Sequence, residues 1–241
     1  MSQDLYAGYD VGSDSVHAVV LDVKARLVHA LPPLMHFGNP IEALREAREA
    51  IGVAAAGRRL RAHAFTGSSG KLVAEKTGNP YWYDTIAIST GIRMLAPEAR
   101  YVVHVGSRDP YFFEIDAALE GGVSAVSDHG TGTKCGGGSG ILINKQVRRF
   151  FSDAVPVRLS PPEGEESVRS TTARENRRRL QEQMEAIHRL AEEAMGSSDK
   201  FLDVGGRCGV IIQSDMIHMQ NSGETIKNIL AGMYVRIAGN Y

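Results

Sequence analysis

Near the start of each half of this chain, a short β-prone run breaks at a glycine-serine-acidic turn and then resumes. Residues 6–22 carry the first case, with Gly12-Ser13-Asp14 between two runs that include Val11, Val16, Val19 and Val20. Residues 101–115 carry the second, with Gly106-Ser107-Arg108-Asp109 as the break. β-Branched and aromatic residues suit a pleated, half-buried surface, and glycine among small polar residues supplies a tight turn. Two such hairpins, one opening each half, constrain the fold more than any other feature. They suggest two duplicated α/β lobes with a nucleotide between them, although two unrelated ordinary hairpins would leave the same trace.

The remaining periodicities fit around these hairpins. A third strand over 25–31 completes an antiparallel meander. Asn39 caps a helix through about residue 53, with Pro40 at its first position and Ile41, Leu44, Ala47 and Ile51 on one face. A short strand over 61–66 ends at Gly67-Ser68-Ser69-Gly70, and a helix over 84–95 stops ahead of Pro97. The first lobe is thus expected over 1–100 and the second over 101–241. Within the second lobe, 152–203 reads as an elaboration, a Pro/Gly/Glu-rich linker followed by a charged helix over about 172–195. Its stripe of Leu180, Met184, Ile187, Ala191 and Ala194 docks on its own lobe or on a partner. The run Arg177-Arg178-Arg179 reads as a solvated face.

Charge and targeting signals narrow the function. Twenty-seven basic and twenty-eight acidic side chains leave a net charge of −1, and no basic run interleaves with aromatics, so nucleic acid is not an expected partner. The first residues lack a charged segment followed by an apolar one, and no run approaches the about 20 apolar residues that cross a bilayer. A cytoplasmic location is expected, with no membrane partner. A disulfide would be unusual there.

That matters for the two cysteines, each set in glycine-rich sequence. Cys135 lies in Gly132-Thr133-Lys134-Cys135-Gly136-Gly137-Gly138-Ser139-Gly140, and Cys208 in Gly205-Gly206-Arg207-Cys208-Gly209. Buried structural cysteines normally sit among apolar neighbours. These two are flanked instead by backbone that can approach closely and donate N–H groups. A glycine-rich loop entering a helix favours negative charge and lowers a thiol pKa. Two thiolates do not complete a four-cysteine site, but a two-fold dimer doubles them to four, the set that holds a [4Fe–4S] centre. Structural thiols and a zinc site remain open on the residues alone, although zinc normally takes closely spaced cysteine pairs.

The first hairpin has the parts of a phosphate site. Gly12 lets backbone approach an anion, Ser13 and Ser15 offer hydroxyls, and Asp10 at a strand end suits a hydrated Mg²⁺. Gly106 and Ser107 repeat the arrangement. Of the eight histidines, His104 stands out because it leads into the second turn. Asp128, beside His129, fits either a turn or a substrate-deprotonating base.

Together these segments resemble the BadF/BadG/BcrA/BcrD-type ATPase family, which contains the activators of 2-hydroxyacyl-CoA dehydratases and the ATP-binding subunits of benzoyl-CoA reductase. Asp10-Val11-Gly12-Ser13 resembles its first phosphate motif, and residues 84–109 align with its helix, proline and second phosphate motif. Lys134-Cys135-Gly136-Gly137-Gly138-Ser139-Gly140 is similar to its cluster loop, and residues 207–215 to its second cysteine segment. His17 stands where that family has lysine. His104 replaces an acidic residue, Ser107-Arg108 a Gly-Gln pair, and Tyr111 a lysine.

The resemblance implies the two-lobed, ribonuclease H-like α/β fold shared by acetate kinase, sugar kinases, actin and the large heat-shock chaperones. The glycine-rich adenosine motif of that fold is expected beyond Tyr241, so a C-terminally truncated version is expected, or a partner that supplies the missing part. The resemblance also implies Mg-ATP handled by Asp10 and Asp109, with His104 as the candidate catalytic residue in place of the family's acidic one, and with Gly12, Ser13, Ser15, Gly106, Ser107 and Gly136–Gly138 as candidate contacts to the bound groups. It further implies one [4Fe–4S] cluster held by Cys135 and Cys208 of two subunits, in a homodimer or a paralogous heterodimer. Reduced ferredoxin or flavodoxin would be the donor, and the iron–sulfur component of an acyl-CoA dehydratase or reductase the acceptor. The alternatives are a small-molecule kinase of the same fold without a cluster, and a degenerate partner subunit that does not hydrolyse ATP.

Overall fold

The structure is a computed structural model that describes residues 4–106, 111–118, 124–131, 140–161, 163–206 and 208–239. The chain forms two units, Met1–Arg100 with Ile115–Ser127, and Tyr101–Glu114 with Asp128–Tyr241.

The first unit is built on a mixed sheet. Strands β1 (Leu5–Val11), β2 (Ser15–Asp22), β3 (Leu27–Ala30) and β5 (Leu60–Thr66) run in the order β3-β2-β1-β5, and β4 (Leu34–Met35) pairs with β2. β1 is antiparallel to β2 and parallel to β5. Parallel neighbours need a crossover, which α1 (Pro40–Ala54) supplies. Asn39 caps α1 by accepting a hydrogen bond from the Glu42 amide at 3.2 Å, and Pro40 occupies the first turn.

Alternation along the strands sends Leu5, Ala7, Tyr9 and Val11, with Val16, Ala18 and Val20, to one buried face. Ala43, Leu44, Ala47 and Ile51 of α1 and Val73 and Ala74 of α2 (Gly70–Thr77) complete that core. Ile41 does not join them. It is 52% exposed, and Ala43 takes its place on the inner stripe. Tyr9 stacks on Phe65 with ring centroids 5.2 Å apart and on His63 at 5.9 Å.

The second unit is mainly helical. β6 (Tyr101–His104) pairs antiparallel with the first half of β7 (Tyr111–Ala118), and β8 (Ser124–Thr131) enters this unit at Asp128. The backbone at Asp128 and His129 is therefore strand. α4 (Gly140–Phe151) and α7 (Ile226–Ala238) flank α5 (Glu166–Gly196), and α6 (Gly209–Asn221) packs on α7. Met184, Ile187 and Ala191 form the inner stripe of α5, and Ile229, Leu230, Ala231 and Met233 bury much of α7.

α5 starts earlier than the sequence pattern predicts, immediately after the turn at Gly164, which takes a φ of +93°. Asn176 ties the preceding linker to the helix, accepting from the Ser160 amide at 2.9 Å and donating to the Ser160 carbonyl at 2.7 Å. The arginine run is only partly a solvated face. Arg178 and Arg179 pair with Glu175, but Arg177 is buried.

Two outcomes test this packing. A side chain at Gly232 would overlap the Leu202 carbonyl. Gly232→Ala should therefore lower stability in urea unfolding by about 1–3 kcal/mol, despite a helix-propensity gain of about 1 kcal/mol. The second concerns pH. Burial, then the charge of Arg48, lowers the His63 pKa, and burial lowers that of His188 against an opposing pull from Glu192. A histidine depressed in the folded state stabilises fully above its unfolded pKa of about 6.5 and loses that contribution as pH falls through the folded value. Stability should decline below about pH 6.5, and His63→Gln should flatten the decline in urea titrations run across that range.

Candidate phosphate and cysteine sites

The first turn closes tightly. The Gly12 amide donates to the Ser15 carbonyl at 3.0 Å, and a Cβ at Gly12 would lie 3.1 Å from that same oxygen. The Ser15 hydroxyl lies 3.0 Å from Nε2 of His17, and the His36 amide donates to the Asp14 carbonyl at 3.0 Å. Ser13 sits between these anchors. The turn is thus fixed from both sides by backbone bonds.

Asp10 occupies the β1 position paired with His17 on β2 and with Thr66 on β5. Even-numbered β1 residues face away from the unit's core, so Asp10 projects from the sheet surface opposite Tyr9 and Val11. The loop after β5 closes on it. Gly67 takes a φ of +88°, and a side chain there would collide with the Asp10 carboxylate and the Val11 carbonyl. The Ser69 amide donates to the Val11 carbonyl at 2.9 Å, just ahead of α2. In the sequence, Gly67 reads as part of a plain strand terminator. Its four-residue Gly-Ser-Ser-Gly context was the available signal, but the approach to Asp10 depends on the β1–β5 register.

Beside Asp10 lies a cavity of about 460 Å³. Gly8, His17, Val19 and Thr66 of the sheet line one side, and Trp82 and Ile86 the other. Ile86 belongs to α3 (Asp84–Leu95). Its walls are mainly apolar, with Asp10 at the polar end. Backbone amides at a glycine turn beside a carboxylate can hold an anion together with a divalent cation.

In the second unit, His104 ends β6 opposite Tyr111. The Gly106 carbonyl accepts from the Gly140 amide at 3.1 Å, which ties the second turn to the first residue of α4. A Cβ at Gly106 would lie 2.7 Å from His104 Nε2, so the ring packs over the glycine. Ser107 and Asp109 lie outside the described residues, as do Cys135 and Gly136, Gly137 and Gly138.

Cys208 is a half-buried thiol at the N-cap position of α6, with φ −90° and ψ 131°. The positive end of that helix favours a thiolate. The run leading into it is held from two helices. The Gly205 amide donates to Asp215 Oδ2 at 2.7 Å, and Arg236 donates to the Val204 carbonyl and to Asp203. A thiolate in that field fits as one ligand of a cysteine-bound cluster. Among the described residues, no three or more His, Cys, Asp or Glu side chains gather as a metal site. Asp128 and His129 place their backbone in β8. No described helix is long and apolar enough to cross a membrane.

No protein-family model matches the sequence. No curated protein sequence matches it. Solved structures do. Component A of the (R)-2-hydroxyglutaryl-CoA dehydratase of Acidaminococcus fermentans aligns with a TM-score of 0.65, over 98% of this chain and 75% of that one, at 17% identity. The activator of the 2-hydroxyisocaproyl-CoA dehydratase from Clostridium difficile, with bound ADPNP, aligns with a TM-score of 0.65 over 98% and 72%, at 16% identity. At these identities the likeness establishes the fold. The chain has the α/β, actin-type fold of these dehydratase activators.

Gly67→Ala should be among the most damaging single substitutions in the first unit. It forces an L-residue into left-handed backbone and displaces Asp10, with an expected loss of at least about 2 kcal/mol in chemical unfolding. Gly78→Ala, also left-handed at φ +67° but with open space around the added Cβ, should cost only about 1 kcal/mol.

Proposed function

We propose that the chain is the nucleotide-binding activator of an acyl-CoA dehydratase or reductase, passing a low-potential electron in a step driven by ATP. The observation that carries this reading is the shared fold with two dehydratase activators, one of them solved with bound ADPNP. The Asp10–Ser15 hairpin supports it with a glycine turn and a carboxylate at the end of one strand.

In this reading the Gly12 turn and the hydroxyls of Ser13 and Ser15 contact the phosphates, and Asp10 holds the Mg²⁺ shell. Gly106 and Ser107 contribute a second phosphate contact. Asp109 orients water, and His104 is a further candidate donor to the bound groups. Nucleotide shifts the protein's conformational equilibrium only through a difference in affinity between two states. Contacts to a γ-phosphate that is lost on hydrolysis provide such a difference.

Cys135 and Cys208 of this chain, with the same pair from a second copy or a paralogue, would ligate one [4Fe–4S] cluster next to the Gly136–Gly138 loop. Bound there, that cluster supplies one-electron chemistry at low potential. The chain's own part at Cys208 is to present a thiolate at a helix N-terminus, where the field favours the deprotonated ligand. The electron comes from reduced ferredoxin or flavodoxin in the cytoplasm and goes to the iron–sulfur component of the acyl-CoA enzyme.

Anaerobic purification should give a brown dimer with about four irons per dimer. Cys208→Ser should remove the iron without changing the circular dichroism spectrum. A colourless monomer that still binds Mg-ATP after anaerobic reconstitution would instead identify a kinase-like member of the fold. Failure to bind Mg-ATP would mark a degenerate subunit.

A further inference from the structure

Asp84 opens α3, and a single oxygen of its carboxylate, Oδ1, accepts two hydrogen bonds. The Thr66 hydroxyl and the Gly67 amide both donate to it, each at 2.9 Å. Thr66 is the last residue of β5 and stands in register with Asp10. Gly67 is the left-handed residue packed against the Asp10 carboxylate. One oxygen therefore holds both the side chain and the backbone at the point where β5 turns towards α2. Bonds to an ionised acceptor are stronger than neutral ones, and the first turn of a helix is where a carboxylate is favoured.

A second observation links both carboxylates to one residue. Burial, then the charges of Asp84, Tyr83 and Asp10, raises the Tyr81 phenol. Tyr81 itself bridges to Phe65 on β5. The charges of Asp84 and Asp10 thus both act on Tyr81.

We propose that Asp84 is a positioning residue for Asp10: it fixes the Gly67 turn in the conformation that leaves the Asp10 carboxylate its place at the phosphate end of β1. The effect on nucleotide rests on the reading of the Asp10 hairpin as a Mg-ATP site. The clamp itself does not. Asp84 touches neither nucleotide nor metal in this scheme and acts only through Thr66 and Gly67.

Four variants separate this role from the alternatives. Asp84→Ala removes the acceptor, whereas Asp84→Asn removes the charge but keeps an oxygen for both donors. Thr66→Ala removes one donor, and Thr66→Ser restores it. ATP titrations on the full chain, with Mg²⁺ and with EDTA, give the first readout. Asp84→Ala should weaken Mg-ATP by about tenfold or more and metal-free ATP by no more than about twofold. Asp84→Asn should stay within about threefold of the parent chain, and Thr66→Ser should recover what Thr66→Ala loses. Equal losses with and without Mg²⁺ would overturn the proposal, as would an Asp84→Asn variant as impaired as Asp84→Ala.

Amide exchange is the second readout and needs no nucleotide. In Asp84→Ala the Gly67 amide should exchange about tenfold faster or more while α1 stays protected. An unchanged Gly67 rate would overturn the clamp. A parent chain that binds no Mg-ATP but shows the expected exchange change would overturn the nucleotide reading and leave the clamp standing.

Discussion

The parallel pairing of β1 with β5 is the constraint on which the first unit depends. Its register sets Asp10 opposite Thr66 and Tyr9 opposite Phe65. The odd-numbered partners stack into the core, and the even-numbered ones come out on the other face. Shifting the register by one residue would exchange the two sets, because side chains alternate along a strand. Tyr9 would then lose its stack, and Asp10 would be driven against α1 and α2. The core and the candidate phosphate site are therefore fixed by one set of backbone bonds.

Those two faces differ in how they are filled. The inner face receives small and branched side chains from α1 and α2 and is closed. The outer face carries Gly8, Asp10, His17 and Thr66 and opens onto the apolar cavity beside Trp82 and Ile86. Gly8 keeps that surface low, so Val19 and Ala64 form its floor. A carboxylate at the edge of a mainly apolar cavity keeps full charge only where it has water, a cation or donors. The tight turn at Gly12 and the Gly67 loop flank the carboxylate of Asp10 at the rim of that cavity.

Much of this was legible in the sequence, for identifiable reasons. The hairpins, α1 with its Asn39 cap, and the helix starting at Asp84 all rest on local signals: turn residues, a capping side chain and a proline stop. Asp10 and Gly12 were likewise visible as a carboxylate ahead of a glycine turn. What was missed is non-local. Gly67 reads as one glycine of a loop until the register brings it onto Asp10, and Asp84 reads as a helix-opening acid until Thr66 and Gly67 donate to it. The apolar face of α1 differs from the sequence pattern at Ile41 for a related reason. Helical spacing admits both Ile41 and Ala43, and only the neighbouring strands decide that the small residue goes inward. Arg177 shows the same limit, since a triplet of arginines gives no sign of which one the helix stripe will bury.

The cysteine segment follows the same logic as the phosphate hairpin. At Asp10, a carboxylate is held by a glycine in left-handed backbone and by a helix-opening acid that accepts an amide. At Cys208, a thiol follows Gly206, also left-handed at φ +83°, and the Gly205 amide is held by Asp215. A Cβ at Gly206 would come within 2.7 Å of Ile211, so this loop too lies close against the first turn of its helix. In both places the reactive group comes from an ordinary element end, and its position is set by a glycine-based loop that an acceptor from elsewhere has fixed. Such an arrangement suits groups that must hold an anion or ligate a metal without rearranging first, because the reorganisation is completed when the chain folds. A loop that merely joined two elements would not need a side chain from a different helix turn to fix a single amide. That expenditure at both places is the physical reason to read Asp10 and Cys208 as candidate functional groups.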